Sequence, residues 1–232
     1  MDKTVFRGTR EIHSYVIRGG RMSKLHQKAY DELGPKYCIP YEEQLIDLKK
    51  YFPKGEIILE IGFGMGLATA AIADKNRDKN YLGIEVHKPG VGKLLSEIGI
   101  RNLDNMRIIN FDAVKVIDNM IPDGSFDGIH IFFPDPWPKK KHHKRRLVQA
   151  PFIKKLLPKL KNDGYIYCVT DWEEYGEQML EVLISIPELK NQYEDWANQP
   201  VWRPETRFER KGLDKSYKIR EVFFRKLISQ KN

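Results

Sequence analysis

The chain has 232 residues, 41% of them hydrophobic and 31% charged, which suits one globular domain or one domain with extensions. Forty Lys and Arg against 32 Asp and Glu leave a net charge of +8, and that excess favours an anionic partner. Two distant cysteines, Cys38 and Cys168, no signal-peptide pattern and no apolar run near membrane length argue against a disulfide framework, a metal site or a membrane protein, and point to a reduced, cytoplasmic one.

Residues 1–40 carry eight Lys or Arg against four acidic residues, with little apolar periodicity and a Gly19-Gly20 break. They read as a basic, partly flexible N-terminal arm, either ordering on RNA or remaining a solvated tail. Residues 41–52 read as a helix with Leu45, Ile46 and Leu48 apolar, ended by Pro53-Lys54-Gly55. The domain proper is expected over residues 41–232.

The stretch Ile-Ile-Leu-Glu-Ile-Gly-Phe-Gly-Met-Gly at 57–66 organises the rest of the domain. Its apolar half has the pattern of a strand buried on both faces. Its other half places Gly62, Gly64 and Gly66 where a tight turn can bring backbone close to a ligand, and a helix with four alanines comes next over 67–74. Together these form the first unit of a doubly wound α/β fold. Glu60 is a carboxylate within the strand, costly unless paired, and an amino-bearing ligand would pair with it. A second strand over 81–86 carries Glu85 about 20 residues past the glycines, where an acidic residue can accept from both ribose hydroxyls. A third strand, 106–111, ends in Asp112, a position that commonly lies beside a base ring. The turn lacks both Gly-x-Gly-x-x-Gly spacing and a Gly-Lys-Ser/Thr. It resembles instead the first motif of the class I S-adenosylmethionine-dependent methyltransferases, which implies a Rossmann-like, mostly parallel seven-stranded sheet with helices on both faces.

A short helix over 113–120 and a break at Pro122-Asp123-Gly124 lead to a fourth strand, 128–133. It delivers Phe-Pro-Asp-Pro-Trp-Pro at 133–138, followed by Lys139, Lys140, Lys141, His142, His143, Lys144, Arg145 and Arg146. Prolines on both sides stiffen the loop, and Asp135 falls at the carboxyl end of a strand, where open α/β sheets bind ligands. A stiff loop carrying one carboxylate and Trp137 suits a substrate platform. The basic run is either a solvated helix start or a phosphate-binding surface at the catalytic mouth.

With these stretches, Gly-Ile-Glu-Val-His at 83–87, Thr170-Asp171 and Thr206-Arg207-Phe208-Glu209, the sequence resembles the bacterial tRNA (guanine-N7-)-methyltransferases from about residue 18 onward. The resemblance implies S-adenosylmethionine as cofactor and a guanosine of the tRNA variable loop as substrate. It implies cofactor contacts from Glu60, Glu85, Asp112 and Asp135 beside the glycine turn, with Asp135 also catalytic. Substrate contacts are implied for Lys139, Asp171, Thr206, Arg207, Phe208 and Glu209, and an RNA surface for Lys141, His142, His143, Lys144, Arg145 and Arg146. Guanine N7 has a lone pair and no proton, so neither a general base nor a metal is called for.

The remaining chain reads as an amphipathic helix over 146–160 interrupted by Pro151 and Pro158, a fifth strand over 165–169, and a helix over 173–186 with Met179, Leu180, Leu183 and Ile184 inward. Asp171 could also cap that helix. Final strands are expected at 192–197 and 219–227, with Phe223 packing rather than binding. A monomer or homodimer is compatible with all of this.

Overall fold

The computed structural model describes residues 13–16, 19–204 and 218–228. At its centre β1 (Ile57–Ile61) is buried at all five positions. After it, in chain order, come α2 (Leu67–Lys75), β2 (Asn80–Ile84), α3 (Lys88–Arg101), β3 (Met106–Ile109), α4 (Ala113–Asn119), β4 (Phe126–Phe132), α5 (Ala150–Leu156), β5 (Leu160–Thr170), α6 (Glu173–Ile184), β6 (Leu189–Asn191) and β7 (Arg220–Lys226), with α1 (Lys24–Tyr37) preceding β1. One sheet runs β3-β2-β1-β4-β5-β7-β6, parallel from β3 to β5, with β7 antiparallel to both neighbours. The order reverses between β1 and β4, the place where a doubly wound sheet opens a ligand crevice.

Side chains alternate between the faces of each strand, so the five residues of β1 feed two cores. Leu59 and Ile61 join Val116 and Ile117 of α4, Phe152 and Ile153 of α5, and Met179 and Leu183 of α6. Ile58 joins Ala70 and Ile72 of α2, Leu94 and Ile98 of α3, and Ala29 of α1. Residues at this depth contribute roughly 1.5–3 kcal/mol each through apolar burial, which fixes the strand register.

Four expectations are corrected by these elements. The basic N-terminal region is not an arm throughout: Ser23 caps α1, accepting from the His26 amide at 3.2 Å, and Ile39 N–H donates to Ile108 O at 2.8 Å, so residues 24–39 join the layer beside α3 and β3. Lys24, Lys28 and Lys36 all point outward, which gave the segment its arm-like composition. Residues 41–52 form only a single 3-10 turn, Leu48–Lys50, because their apolar groups serve distant partners. Tyr41 stacks on Phe111 with centroids 3.7 Å apart, and Ile46 N–H donates to Met120 O.

At the other end, β6 lies at Leu189–Asn191 and not at 192–197, where Asn191 instead folds the chain by accepting from the Tyr193 amide and donating to Asp195 O. Ile184 is 61% exposed and so is not an inward residue of α6, unlike Met179 and Leu183. Phe223 does pack, stacked on Tyr165 at 4.8 Å. Helix α3 was not anticipated at all. Before β7, buried Arg203 pairs with Glu221 at 2.6 Å and donates to Tyr167 Oη at 2.9 Å, while Trp202 stacks on His130.

Candidate active site

β1 and β2 end side by side, and the turn into α2 needs left-handed backbone at Gly62, Gly64 and Gly66, with φ of 77°, 57° and 69°. Side chains other than glycine resist that conformation. Glu85, one residue past β2, fastens the turn: its Oε2 accepts from Gly64 N–H at 2.7 Å and its Oε1 from the Val86 and His87 amides at 2.8 Å. Three donors leave room for one more on a carboxylate. Glu60 is buried, with Oε1 accepting from Thr69 Oγ1 at 3.0 Å and Oε2 without a partner. Burial pushes its carboxyl up to about 7, with the Thr69 bond opposing and the Glu85 charge adding to the rise. A buried carboxylate oxygen lacking a donor fits the amino group of an S-adenosylmethionine-like cofactor.

A cavity opens over these strand ends, lined by Gly62, Glu85, Phe111, Phe133 and Asp135 and also by Ser14 and Tyr15. Asp112 stands next to it but is engaged elsewhere. Its Oδ1 caps α4 by accepting from the Val114 and Lys115 amides, and its Oδ2 lies 3.6 Å from His13 Nδ1. At this strand end Phe111 and Ala113 present the surface to the cavity. Asp135 is exposed and reaches the same cavity as Gly62 and Glu85.

The loop bearing Asp135 is held at both ends. Phe133 N–H donates to Val169 O and Arg146 Nε to Pro136 O, each at 2.8 Å. Phe133 and Trp137 adopt positive φ, 49° and 46°, a conformation that costs free energy and persists only under such restraint. The basic run after it is a 3-10 helix, Lys140–Arg145, and it divides into two sets. Lys139, Lys140, Lys141 and Lys144 are exposed. Arg146 is buried, donating also to Gln178 Oε1 at 2.6 Å and lying over the Tyr175 ring, so it braces the loop from within. Arg145 lies 3.7 Å from the Trp137 ring centroid and donates to two carbonyls of residues 13–15. Trp137 is occupied in turn, its Nε1 donating to Ser14 O at 3.1 Å and its ring meeting the edge of His142, and is therefore no open platform.

His143 sits 3.5 Å from Glu174. Burial and the surrounding Lys and Arg charges push the His142 imidazole below its ordinary range. Asp171, half-buried past β5, does not cap α6; Thr170 Oγ1 accepts from the Trp172 amide there. Thr206, Arg207, Phe208 and Glu209 lie outside the described residues. Ser14 and Tyr15 were missed by sequence reasoning, since nothing local marks residues that are held at the cavity by partners as distant in sequence as Trp137 and Arg145. No group of acidic, His or Cys residues able to hold a metal occurs among the described residues.

A family described as "Putative methyltransferase" matches residues 54–222. Two relatives carry the name tRNA (guanine-N(7)-)-methyltransferase. One, from Ralstonia pickettii, is 51% identical over 94% of this chain and 85% of its own. Another, from Neisseria meningitidis serogroup C, is 51% identical over 94% of this chain and 92% of its own. Among solved structures, the 16S rRNA methyltransferase KamB superposes with a TM-score of 0.58 at 11% identity, covering 80% of this chain and 95% of that one. The aminoglycoside resistance methyltransferase NpmB1 gives 0.54 at 14% identity over 79% and 95%. These two share the fold. Sharing half its residues with the first two along nearly its whole length, the chain belongs to the tRNA (guanine-N(7)-)-methyltransferase family.

Proposed function

We propose that this protein transfers a methyl group from S-adenosylmethionine to N7 of a guanosine in the tRNA variable loop, giving 7-methylguanosine. The observation that carries the reading is the placement of Asp135: a rigid loop directs it to the cavity formed by Gly62 and Glu85, immediately before four exposed lysines. The cofactor, when bound, supplies a sulfonium methyl. Glu60 holds its amino group, the glycine turn lets its amino-acid end approach the backbone, and Glu85 offers its remaining lone pair to a ribose hydroxyl. Asp112, with Phe111 beside it, flanks the base.

Because N7 has no proton to lose, the residues are needed for alignment and for stabilising the positive charge that grows on the purine. Asp135 does both by orienting the guanine and presenting a carboxylate. Lys139 and Asp171 border the incoming nucleotide, and Thr206, Arg207, Phe208 and Glu209 read the guanine. Lys140, Lys141 and Lys144 meet RNA phosphates. No helix among the described residues is long and apolar enough to cross a membrane.

The test is methyl transfer from labelled S-adenosylmethionine to unmodified tRNA, with nucleosides identified by mass spectrometry, for wild type and Asp135→Asn. The expected result is 7-methylguanosine from wild type and a single-turnover rate lower by about 10²-fold in the variant, the usual scale for losing one charge-stabilising group. Another methylated nucleoside from wild type overturns the substrate. An unchanged variant rate overturns the role of Asp135.

A further inference from the structure

Residues 13–15 form a strap whose Ser14 and Tyr15 line the cavity, and three of its features are unusual together. Three successive carbonyls are taken by the loop after β4: Arg145 Nε donates to His13 O at 2.9 Å, Trp137 Nε1 to Ser14 O at 3.1 Å, and an Arg145 Nη to Tyr15 O at 3.0 Å. On the opposite side, the His13 imidazole lies 3.6 Å from the Asp112 carboxylate at the β3 end of the sheet. Ser14 and Tyr15 thereby line the same cavity as Gly62, Glu85 and Asp135.

The fastening depends on geometry that a simple positive charge lacks. A guanidinium holds its N–H donors in one rigid plane, so a single Arg can serve two carbonyls two residues apart while its face rests on an indole. The indole is itself set by the left-handed backbone at Trp137, which a bulky residue adopts only where its surroundings impose it.

We propose that residues 13–15 are the roof of the cofactor pocket and that Arg145, with Trp137, is a positioning residue that sets how firmly the cofactor is retained. This rests on the cavity being the S-adenosylmethionine site. Arg145 belongs to the run that reads in sequence as an RNA surface, but its donors are directed inward to the strap. The segment that meets RNA through Lys140, Lys141 and Lys144 therefore also closes the cofactor pocket, and the two sites are joined through one side chain.

Calorimetric titration of S-adenosylmethionine and S-adenosylhomocysteine into wild type, Arg145→Lys and Trp137→Phe tests this, with the salt dependence of tRNA binding measured alongside. Arg145→Lys keeps the charge and loses the planar double hydrogen bond. It should raise the Kd for both cofactor forms about tenfold, the scale for losing a hydrogen bond from a charged group, and leave the tRNA salt slope unchanged. Trp137→Phe keeps the aromatic support, loses one bond, and should raise the Kd by a smaller factor. A wild-type Kd in Arg145→Lys overturns the proposal. If that variant fails to show a cooperative thermal transition, Trp137→Phe decides alone, and a wild-type Kd there overturns it equally. A wild type that binds neither cofactor form overturns the cofactor reading, a separate failure from that of the strap.

Discussion

At the scale of single residues, three carboxylates at adjacent strand ends have been given different environments by their partners. Glu85 is surrounded by backbone donors, Asp112 caps a helix, and Glu60 is buried with one oxygen unsatisfied. Glu60 makes a definite claim about pH. Its carboxyl titrates near 4.5 ordinarily and near 7 in the folded protein, because burial disfavours the charge. Between those values the folded chain holds a proton that the unfolded chain has released. Stability of the cofactor-free protein should therefore fall as pH rises from about 4.5 to about 7, by up to about 3 kcal/mol from this group. Urea unfolding at pH 5 and pH 8, for wild type and Glu60→Gln, checks it. Glu60→Gln should lose most of the difference, and an equal difference in both proteins would place its source elsewhere.

At the scale of elements, the glycine turn owes its shape as much to α3 as to its own residues. A Cβ on Gly90, in the first turn of α3, would lie 1.9 Å from the Gly64 carbonyl oxygen, with no flexible side chain to give way. Gly90→Ala should thus push the turn out of place, weaken S-adenosylmethionine binding by tenfold or more, roughly the cost of 1.4 kcal/mol, and leave a folded protein by circular dichroism. Unchanged calorimetric affinity would show that the turn tolerates the shift. The same helix marks what the sequence concealed. The strand ends carrying Glu60, Glu85 and Asp135 were legible because buried strands and glycine turns are local patterns. Helix α3 carried its own signals in Pro89 and buried Leu94, Leu95 and Ile98, yet the acidic residue before it drew the reading. Residues 41–52 erred the other way, since their apolar side chains answer to Phe111 and to the end of α4 instead of to a helix period. The run 141–146 is the most instructive, because like residues in a row separate into exposed lysines and a buried Arg146 only when the tertiary partners Pro136, Gln178 and Tyr175 are known.

At the scale of the whole molecule, a net charge of +8 acts on RNA only where it is exposed. Replacing Lys140, Lys141 and Lys144 together by Ala should weaken tRNA binding and reduce the salt slope by about one unit for each phosphate no longer neutralised. Arg146→Ala should leave that slope alone and lower the urea midpoint, since it removes a buried brace of the Asp135 loop. Filter binding across a salt series distinguishes the two, and a flattened slope in Arg146→Ala would return that residue to the RNA surface. The strand order has a consequence in time as well as in space. β7 is translated after β6 but lies between it and β5. As the chain leaves the ribosome, β6 therefore emerges without a neighbour, and Arg203 emerges before Glu221 exists to receive it. At roughly 5–20 residues per second that wait lasts a few seconds. The strands whose ends line the cavity are complete before it begins, so a newborn chain has the cavity side of its sheet while the far edge is still waiting for its middle strand.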